Sequence, residues 1–311
     1  MTGDELRIGT RASTLARAQS ALVAERLSAL LGRETVLVDV TTDGDRSGES
    51  LASIGGTGVF VSALREALLR GDVDVAVHSL KDLPTGPAEG ITLAGVPVRE
   101  DARDAVVARD GLTLAELPAG SRVGTGSPRR AAQVHALGLG LEVVGIRGNI
   151  DTRLRKVSSG EVDAVILARA GLARIGRLDE ITEVLDPLQM LPAPGQGALA
   201  VECRAVDRDL AAAIGAGLDD AHTRAAVEAE RALLATLEAG CSAPVGALAE
   251  VAEGDDGDEL WIRAVVLAPD GGAAVRMSAA GRLDAAADIG RRLARDMLSD
   301  GAHAFLQEPV S

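Results

Sequence analysis

The side chains whose type and spacing could do chemistry are six arginines, one Lys–Asp pair and one loop cysteine. The arginines, Arg11, Arg129, Arg130, Arg147, Arg153 and Arg174, fall where strand-like segments hand over to helix-like ones. Guanidinium forks match carboxylates, and helix starts add unpaired N–H groups and the positive end of the dipole. The whole chain carries a formal net charge of -14, which disfavours nucleic acid and leaves a small polyanion as the ligand class. Only Phe60, Phe305 and Trp261 are aromatic, so platforms for stacking single-stranded bases are absent.

Each candidate has an ordinary structural reading beside the chemical one. In Ser127-Pro128-Arg129-Arg130 the serine suits an N-cap and the proline N1. Two arginines in that first turn oppose the helix dipole, which fits either an anionic ligand or an exposed basic turn. Ile146-Arg147-Gly148-Asn149 ends a strand; Gly148 permits close backbone approach and Asn149 can cap the helix holding Arg153. Ordinary pairing of those arginines with acids such as Asp151 is the alternative. His78-Ser79-Leu80-Lys81-Asp82-Leu83-Pro84 follows a strand at its carboxyl end, where α/β proteins place reacting groups. An ionised Asp82 near arginines suits stabilising a developing cation, whereas a Lys–Asp surface turn is the plainer reading. Cys241 lies in the small-residue loop Glu238-Ala-Gly-Cys-Ser-Ala-Pro244 and is the more accessible thiol; Cys203 sits in an apolar strand. Covalent chemistry at Cys241 competes with a quiet free thiol. His78, His135, His222 and His303 lack metal-ligand spacing, so no metal is expected. Neither GTGVF nor GTGSP is a phosphate-binding P-loop.

The elements that must position these groups read as duplicated. A chain of 311 residues, 47% hydrophobic, allows two or three packed domains. Arg7-Ile-Gly-Thr10 recurs as Arg122-Val-Gly-Thr125, and Gly71-Asp-Val-Asp74 recurs as Gly160-Glu-Val-Asp163, in the same strand–helix–strand–helix order. Duplicated βαβ lobes imply parallel sheets, with ligands outside the carboxyl ends of the strands. Leu15, Leu22, Leu27 and Leu30 suggest the apolar stripe of a first helix from Ser13 to about Leu31, and Phe60, Leu64 and Leu68 that of a second. Asp43 to Thr57 reads as a mobile loop. The expected fold is α/β: two duplicated periplasmic-binding-protein-like lobes around a cleft, plus a small α+β C-terminal domain. Residues 1–98 and 198–218 form lobe 1, residues 103–193 lobe 2, and 219–311 the third domain, with chain crossings near Val98–Arg103 and Leu191–Gly197. No apolar leader or run long enough to span a bilayer is visible, and the two cysteines lack C-x-x-C spacing. A cytoplasmic protein that binds neither membrane nor nucleic acid is expected.

Taken together, RIGTRAS, GGTGVFVSALREALL, DVAVHSLKDLPT, GTGSPRRAAQ, IRGNIDTRL, AGLARIG, LPAPGQGALAVECR and LEAGCSAPVGA resemble the hydroxymethylbilane synthase (porphobilinogen deaminase) family. They occur in the expected order from residue 7 to about 250. The resemblance implies a monomeric transferase that joins four porphobilinogen units head to tail and releases ammonia at each condensation. It implies a dipyrromethane cofactor held by a thioether to Cys241, and Asp82 as the catalytic aspartate. It assigns carboxylates of the cofactor, substrate and polypyrrole intermediates to Arg11, Arg129, Arg130, Arg147, Arg153 and Arg174, with Ser13, Lys81, Thr125, Ser127 and Gly148 nearby. Phe60 is implied to pack over a pyrrole ring. Many family members carry lysine where Thr57 stands. A non-enzymatic two-lobed anion-binding protein is the alternative from another class.

Overall fold

The computed structural model describes residues 5–40, 58–239, 243–254 and 257–306, with only the backbone of 58–60. Thr57, Cys241 and the loop expected over 43–57 lie outside the described residues. In chain order the strands are β1 (Glu5–Thr10), β2 (Glu34–Asp39), β3 (Val75–Ser79), β4 (Ile91–Gly95), β5 (Asp104–Ala108), β6 (Arg122–Thr125) and β7 (Glu142–Gly145). They continue as β8 (Ala164–Ala168), β9 (Glu183–Val184), β10 (Leu199–Arg204), β11 (Val245–Gly254), β12 (Gly257–Leu267) and β13 (Ala274–Arg282). The helices are α1 (Thr14–Leu31), α2 (Gly58–Arg70), α3 (Pro128–Ala136), α4 (Ile150–Ser158), α5 (Arg169–Arg174), α6 (Arg208–Leu218), α7 (Ala221–Thr236) and α8 (Ala286–Ser299).

Two compact units divide the chain: Met1–Glu100 with Ala198–Arg224, and Asp101–Gly197 with Ala225–Ser311. The first holds a five-stranded sheet in the order β2-β1-β3-β10-β4, and the second a sheet in the matching order β7-β6-β8-β5-β9. Duplication therefore extends from motifs to topology. It also extends to side chains: the Asp74 carboxylate accepts the Arg7 backbone N–H at 3.1 Å, and Asp163 accepts that of Arg122 at 2.7 Å. The aspartate of each Gly-acid-Val-Asp motif thus ties β3 or β8 to the N-terminal half of the neighbouring parallel strand, β1 or β6.

The sheets are mixed, not wholly parallel as the βαβ reading implied. β1, β2 and β3 run parallel, as do β6, β7 and β8, but β10 runs antiparallel to β3 and β5 antiparallel to β8. Each antiparallel strand begins just after the chain has crossed from one unit into the other, so it enters at the carboxyl end of its neighbours. Asp104 and Leu199 are consequently delivered to that carboxyl edge by strands that start there.

Local signals explain the helix starts. The Ser13 hydroxyl accepts the Ala16 N–H at 3.3 Å, Ser127 that of Arg130 at 3.4 Å, and Asn149 that of Thr152 at 2.9 Å. Gly32 closes α1 in the left-handed conformation. The stripe expected on α1 is corrected: Gln19, Ser20, Val23, Ala24 and Leu27 are buried, whereas Leu22 and Leu30 are 44% and 43% exposed. The i, i+4 run from residues 19 and 20 through 27 faces the sheet, and Leu22 projects to one side of it. On α2, Leu64 and Leu68 pack with Ala67, Val73 and Ala76 as expected.

In the second unit β11, β12 and β13 form an antiparallel sheet covered by α7 and α8, with Leu233, Leu260, Ile262, Leu293 and Met297 in its core. This sheet packs on the rest of the unit through Leu248, Val265 and Leu267 against Ala102, Ala132 and Leu191. The buried Glu230 of α7 accepts the Gly195 N–H at 2.6 Å and the Ala249 N–H at 2.8 Å, tying the Leu191–Gly197 segment to β11.

Candidate active site

In the first unit the carboxyl edge of β1, β2 and β3 gathers Arg11, Ser13, Lys81 and Asp82. Arg11 is the first residue beyond β1 and is half-buried, and Ser13 is committed to capping α1. Lys81 and Asp82 lie in the tight turn Leu80–Asp82 that continues β3. This turn is pinned from below: Leu80 is fully buried and its N–H reaches the Ala198 carbonyl at 3.0 Å, and Ser79 exchanges hydrogen bonds with buried Gln19. The Asp82 carboxylate is half-buried and takes no hydrogen bond or ion pair from a described residue. It is a fixed anion with both oxygens available to an N–H donor. Phe60 is in the first turn of α2; its side chain lies outside the described residues.

One turn before Asp82, a buried polar triad braces the same strand. Glu202 of β10, 3% exposed, takes Arg65 Nε at 2.9 Å and Nη2 at 2.6 Å, and its Oε2 lies 3.3 Å from His78 Nε2. Burial alone would raise the Glu202 carboxyl, but Arg65 and His78 outweigh it and hold it down at about 2.

The carboxyl edge of β6, β7 and β8 gathers the rest. Thr125 ends β6 and is buried, its hydroxyl accepting the Ser127 N–H at 3.1 Å. Arg129 and Arg130 occupy the first turn of α3 but are only 4% and 5% exposed. They form neither an exposed basic turn nor a freely projecting pair. Their charges meet on Asp104, fully buried at the start of β5: Arg129 Nη2 lies 2.8 Å from Oδ2, and Arg130 Nη2 and Nε lie 2.7 and 3.1 Å from Oδ1. Burial would raise the Asp104 carboxyl, yet the Arg129 and Arg130 charges and hydrogen bonds from Arg130 and Gln196 hold it well below the usual carboxylate range. Arg130 Nη1 also reaches the Ile166 carbonyl at 3.0 Å, and Arg129 Nη1 the Leu191 carbonyl at 2.5 Å. Arg129 Nε is buried without a partner.

Arg147, just beyond β7, is exposed, and among the described residues no acid pairs with it. Arg153, in the second turn of α4, is half-buried and bonds only the Gly148 carbonyl, at 2.9 Å. Desolvation, and then the Arg130 charge, pull Arg153 below the ordinary arginine value. Asp151, offered by the alternative reading as a partner for these two, pairs instead with Arg177 at 2.7 Å. Gly148 adopts φ +110, and a Cβ there would sit 2.7 Å from Thr152 Cγ2, so only glycine lets this turn close beneath Arg147. Arg174 ends α5 instead of opening a helix, with Nη2 on the Gly197 carbonyl at 2.5 Å.

Among the described residues these four guanidiniums therefore meet one carboxylate, that of Asp104, which Arg129 and Arg130 contact and Arg147 and Arg153 do not. Such a surplus, partly desolvated, is suited to binding anions. It fits a dipyrromethane group, whose two pyrroles would present four carboxylates. Asp104, Gln196 and Glu230 are absent from the sequence-derived site. Their partners lie tens of residues away, and the one local signal is an acid and an amide set inside otherwise apolar or Gly/Pro-rich segments.

Cys203 is fully buried in β10, and burial pushes its thiol up to about 11. No described group of three or more His, Cys, Asp or Glu is arranged to hold a metal, and no described helix is long and apolar enough to cross a membrane.

Comparison with known proteins agrees with the residues. The model of the porphobilinogen deaminase dipyrromethane cofactor binding domain matches residues 6–212, and that of the porphobilinogen deaminase C-terminal domain matches 224–299. The porphobilinogen deaminase of Mycobacterium tuberculosis is 59% identical over 306 residues, covering 97% of this chain and 98% of that protein. Porphobilinogen deaminase 1 of Streptomyces coelicolor is 57% identical over 317 aligned residues, covering 99% of each. Among solved structures, a VFT2 domain of BvgS from Bordetella pertussis aligns at 19% identity with a TM-score of 0.42, covering 68% of this chain and 85% of that one. Matched by both family models, and alike to these relatives from end to end, the chain belongs to the porphobilinogen deaminase family.

Proposed function

We propose that this protein is a cytoplasmic, monomeric hydroxymethylbilane synthase, condensing four porphobilinogen molecules head to tail with release of four ammonia molecules. The observation that carries the reading is the cation surplus at the carboxyl edge of β6, β7 and β8, where, among the described residues, Arg129 and Arg130 pair with Asp104 and no acid pairs with Arg147 or Arg153. Each pyrrole unit brings an acetate and a propionate, so the ligand gains two negative charges per addition. A hydrogen bond between charged groups contributes about 1.5–3 kcal/mol when partly buried, enough to hold each intermediate between steps.

The roles follow from placement. Arg147 and Arg153 take ligand carboxylates directly; Arg129 and Arg130 supply positive charge from the wall behind them, with Ser127 and Thr125 shaping the turn. Arg11, Ser13 and Lys81 serve the same purpose at the edge of the first unit, and Arg174 at the end of α5. Phe60 packs over a pyrrole ring. Cys241 would hold the dipyrromethane group, which when bound would supply the nucleophilic pyrrole carbon from which the chain grows. Loss of ammonia from porphobilinogen leaves a cationic azafulvene-like electrophile. The Asp82 carboxylate, held rigidly by the Leu80–Ala198 and Ser79–Gln19 contacts, stabilises that charge and accepts pyrrole N–H bonds. It also carries the proton lost when the pyrrole rearomatises. The chain is divided into two lobes and a third domain that bears Cys241.

Asp82→Ala tests the assignment. The variant should keep the fold and lose nearly all porphobilinogen consumption, with ammonia release falling in step. Near-normal turnover would remove Asp82 from the mechanism, and a wild-type protein that binds porphobilinogen without consuming it would favour a plain anion-binding protein.

A further inference from the structure

Asp104 is a fully buried carboxylate that pairs with Arg129 and Arg130 of the second unit, and no part of the proposed chemistry uses it. As the first residue of β5 it pairs in register with Ala168, the last residue of β8. An antiparallel strand thus starts where three parallel strands end, and brings an acid to the edge that gathers Thr125, Arg129, Arg130, Arg147 and Arg153. The Oδ1 atom takes three donors, Arg130 Nε, Arg130 Nη2 and Gln196 Nε2 at 3.1, 2.7 and 2.8 Å. Gln196 Nε2 also donates to the Ala102 carbonyl at 2.7 Å, so the amide is fixed independently of the arginines. Arg129 reaches Oδ2 and the Leu191 carbonyl, and Leu191 is held in turn by Gln133, which donates to its carbonyl at 3.0 Å and accepts its N–H at 2.8 Å.

Two cations packed side by side in a low-dielectric wall repel each other and seek water unless an anion holds them. A single carboxylate holds both and still leaves one positive charge over. The residue that orients the carboxylate is an amide, which donates a hydrogen bond without cancelling that charge. Arg153 lies close enough to Arg130 for their charges to interact, so the leftover charge is felt at one of the two guanidiniums assigned above to ligand carboxylates.

Resting on the function proposed above, we infer that Asp104 and Gln196 are positioning residues of the anion-binding edge: they lock Arg129 and Arg130 into the wall beneath Arg153 so that a fixed positive charge faces the ligand's carboxylates. Such residues act on how tightly substrate and intermediates are held, not on the bond-making step.

The experiment compares the full-length protein with Asp104→Asn, Asp104→Glu and Gln196→Leu by KM, kcat, thermal midpoint and the fraction of chains that carry the cofactor by intact mass. Loss of arginine positioning should raise KM for porphobilinogen about tenfold in Asp104→Asn and about threefold in Gln196→Leu, with kcat per cofactor-carrying chain within about twofold of wild type in each. Cofactor occupancy should fall in Asp104→Asn, and Asp104→Glu should restore most of both. A merely structural role would lower the thermal midpoint and the active fraction while leaving KM unmoved, and that result overturns the inference. If Asp104→Asn does not fold, Gln196→Leu decides: a raised KM with kcat kept supports the inference and a wild-type KM refutes it. Wild-type protein that consumes no porphobilinogen would sink the functional reading instead, so the two failures are distinct.

Discussion

Replacing Glu202 by glutamine removes one negative charge from a place where the chain has enclosed it almost completely. The side chain is 3% exposed, two Arg65 nitrogens reach it at 2.9 and 2.6 Å, and His78 stands 3.3 Å away. Its carboxyl lies at about 2 against an ordinary 4.5. At about 1.36 kcal/mol for each unit of pKa, that depression is worth roughly 3 kcal/mol of stability at neutral pH. The folded value is lowered, so the contribution is complete well above 4.5 and fades as the pH falls toward 2. Linkage keeps most of that contribution at pH 4 and loses about half of it or more by pH 3. Urea unfolding of wild type and Glu202→Gln at pH 7, 5, 4 and 3 reads the difference directly, because the other carboxylates titrate alike in both proteins. The gap should be about 3 kcal/mol at pH 7 and narrow by about half at pH 3. A gap that stays constant across this range would refute the reasoning, showing that the loss comes from packing and not from the charge. Since the triad joins α2 and β10 to the strand that leads into Asp82, the variant should also lose activity on mild heating before wild type does.

Further tests reach the ligand edge and the remaining thiol. Arg147→Ala and Arg153→Ala should each raise KM for porphobilinogen about tenfold or more, as expected for losing a charged hydrogen bond, and steady-state kinetics showing unchanged KM would remove them from the site. A Cβ at position 126 would sit 2.7 Å from the Ile146 carbonyl oxygen and 4.0 Å from Arg153 Nη2. Gly126→Ala should therefore cost about 1–3 kcal/mol in urea unfolding and raise KM as well, because backbone, not a flexible side chain, must yield; wild-type values for both would contradict the geometry. Cys203→Ser should keep kcat and KM while costing about 1–2 kcal/mol of stability for a buried hydroxyl. Iodoacetamide should leave Cys203 unmodified in the native protein at pH 8, and rapid labelling there would contradict its burial.

Much of the scaffold was legible wherever the signal is local. Ser13, Ser127 and Asn149 cap the helices they announce, and the paired Arg-x-Gly-Thr and Gly-acid-Val-Asp motifs mark equivalent strands joined by equivalent Asp to backbone bonds. Strand direction was less accessible, because β5 and β10 enter their sheets from across a chain crossing and no residue within them records which way they will run. Leucine spacing misled on α1, where small and polar Gln19, Ser20 and Ala24 face the sheet and Leu22 does not. At the site, arginine positions followed from motifs, but their charge state of pairing did not. Asp104 meets residues 25 and more positions away in Arg129 and Arg130, and Gln196, which lies 92 positions away along the chain. Such a network exists only after the sheet has formed. The same holds for Glu202 with Arg65, whose separation along the chain is 137 residues.

Stepwise growth on a covalent anchor is tested most directly by intact-mass measurement of the native protein mixed with limiting porphobilinogen. The predicted result is a chain heavier than the polypeptide by the attached cofactor, followed by a ladder of equal increments, one for each porphobilinogen added with loss of ammonia, up to four. The Cys241→Ser protein should show the bare polypeptide mass and no ladder. Active wild-type protein that stays at the bare polypeptide mass while tetrapyrrole accumulates would contradict the account.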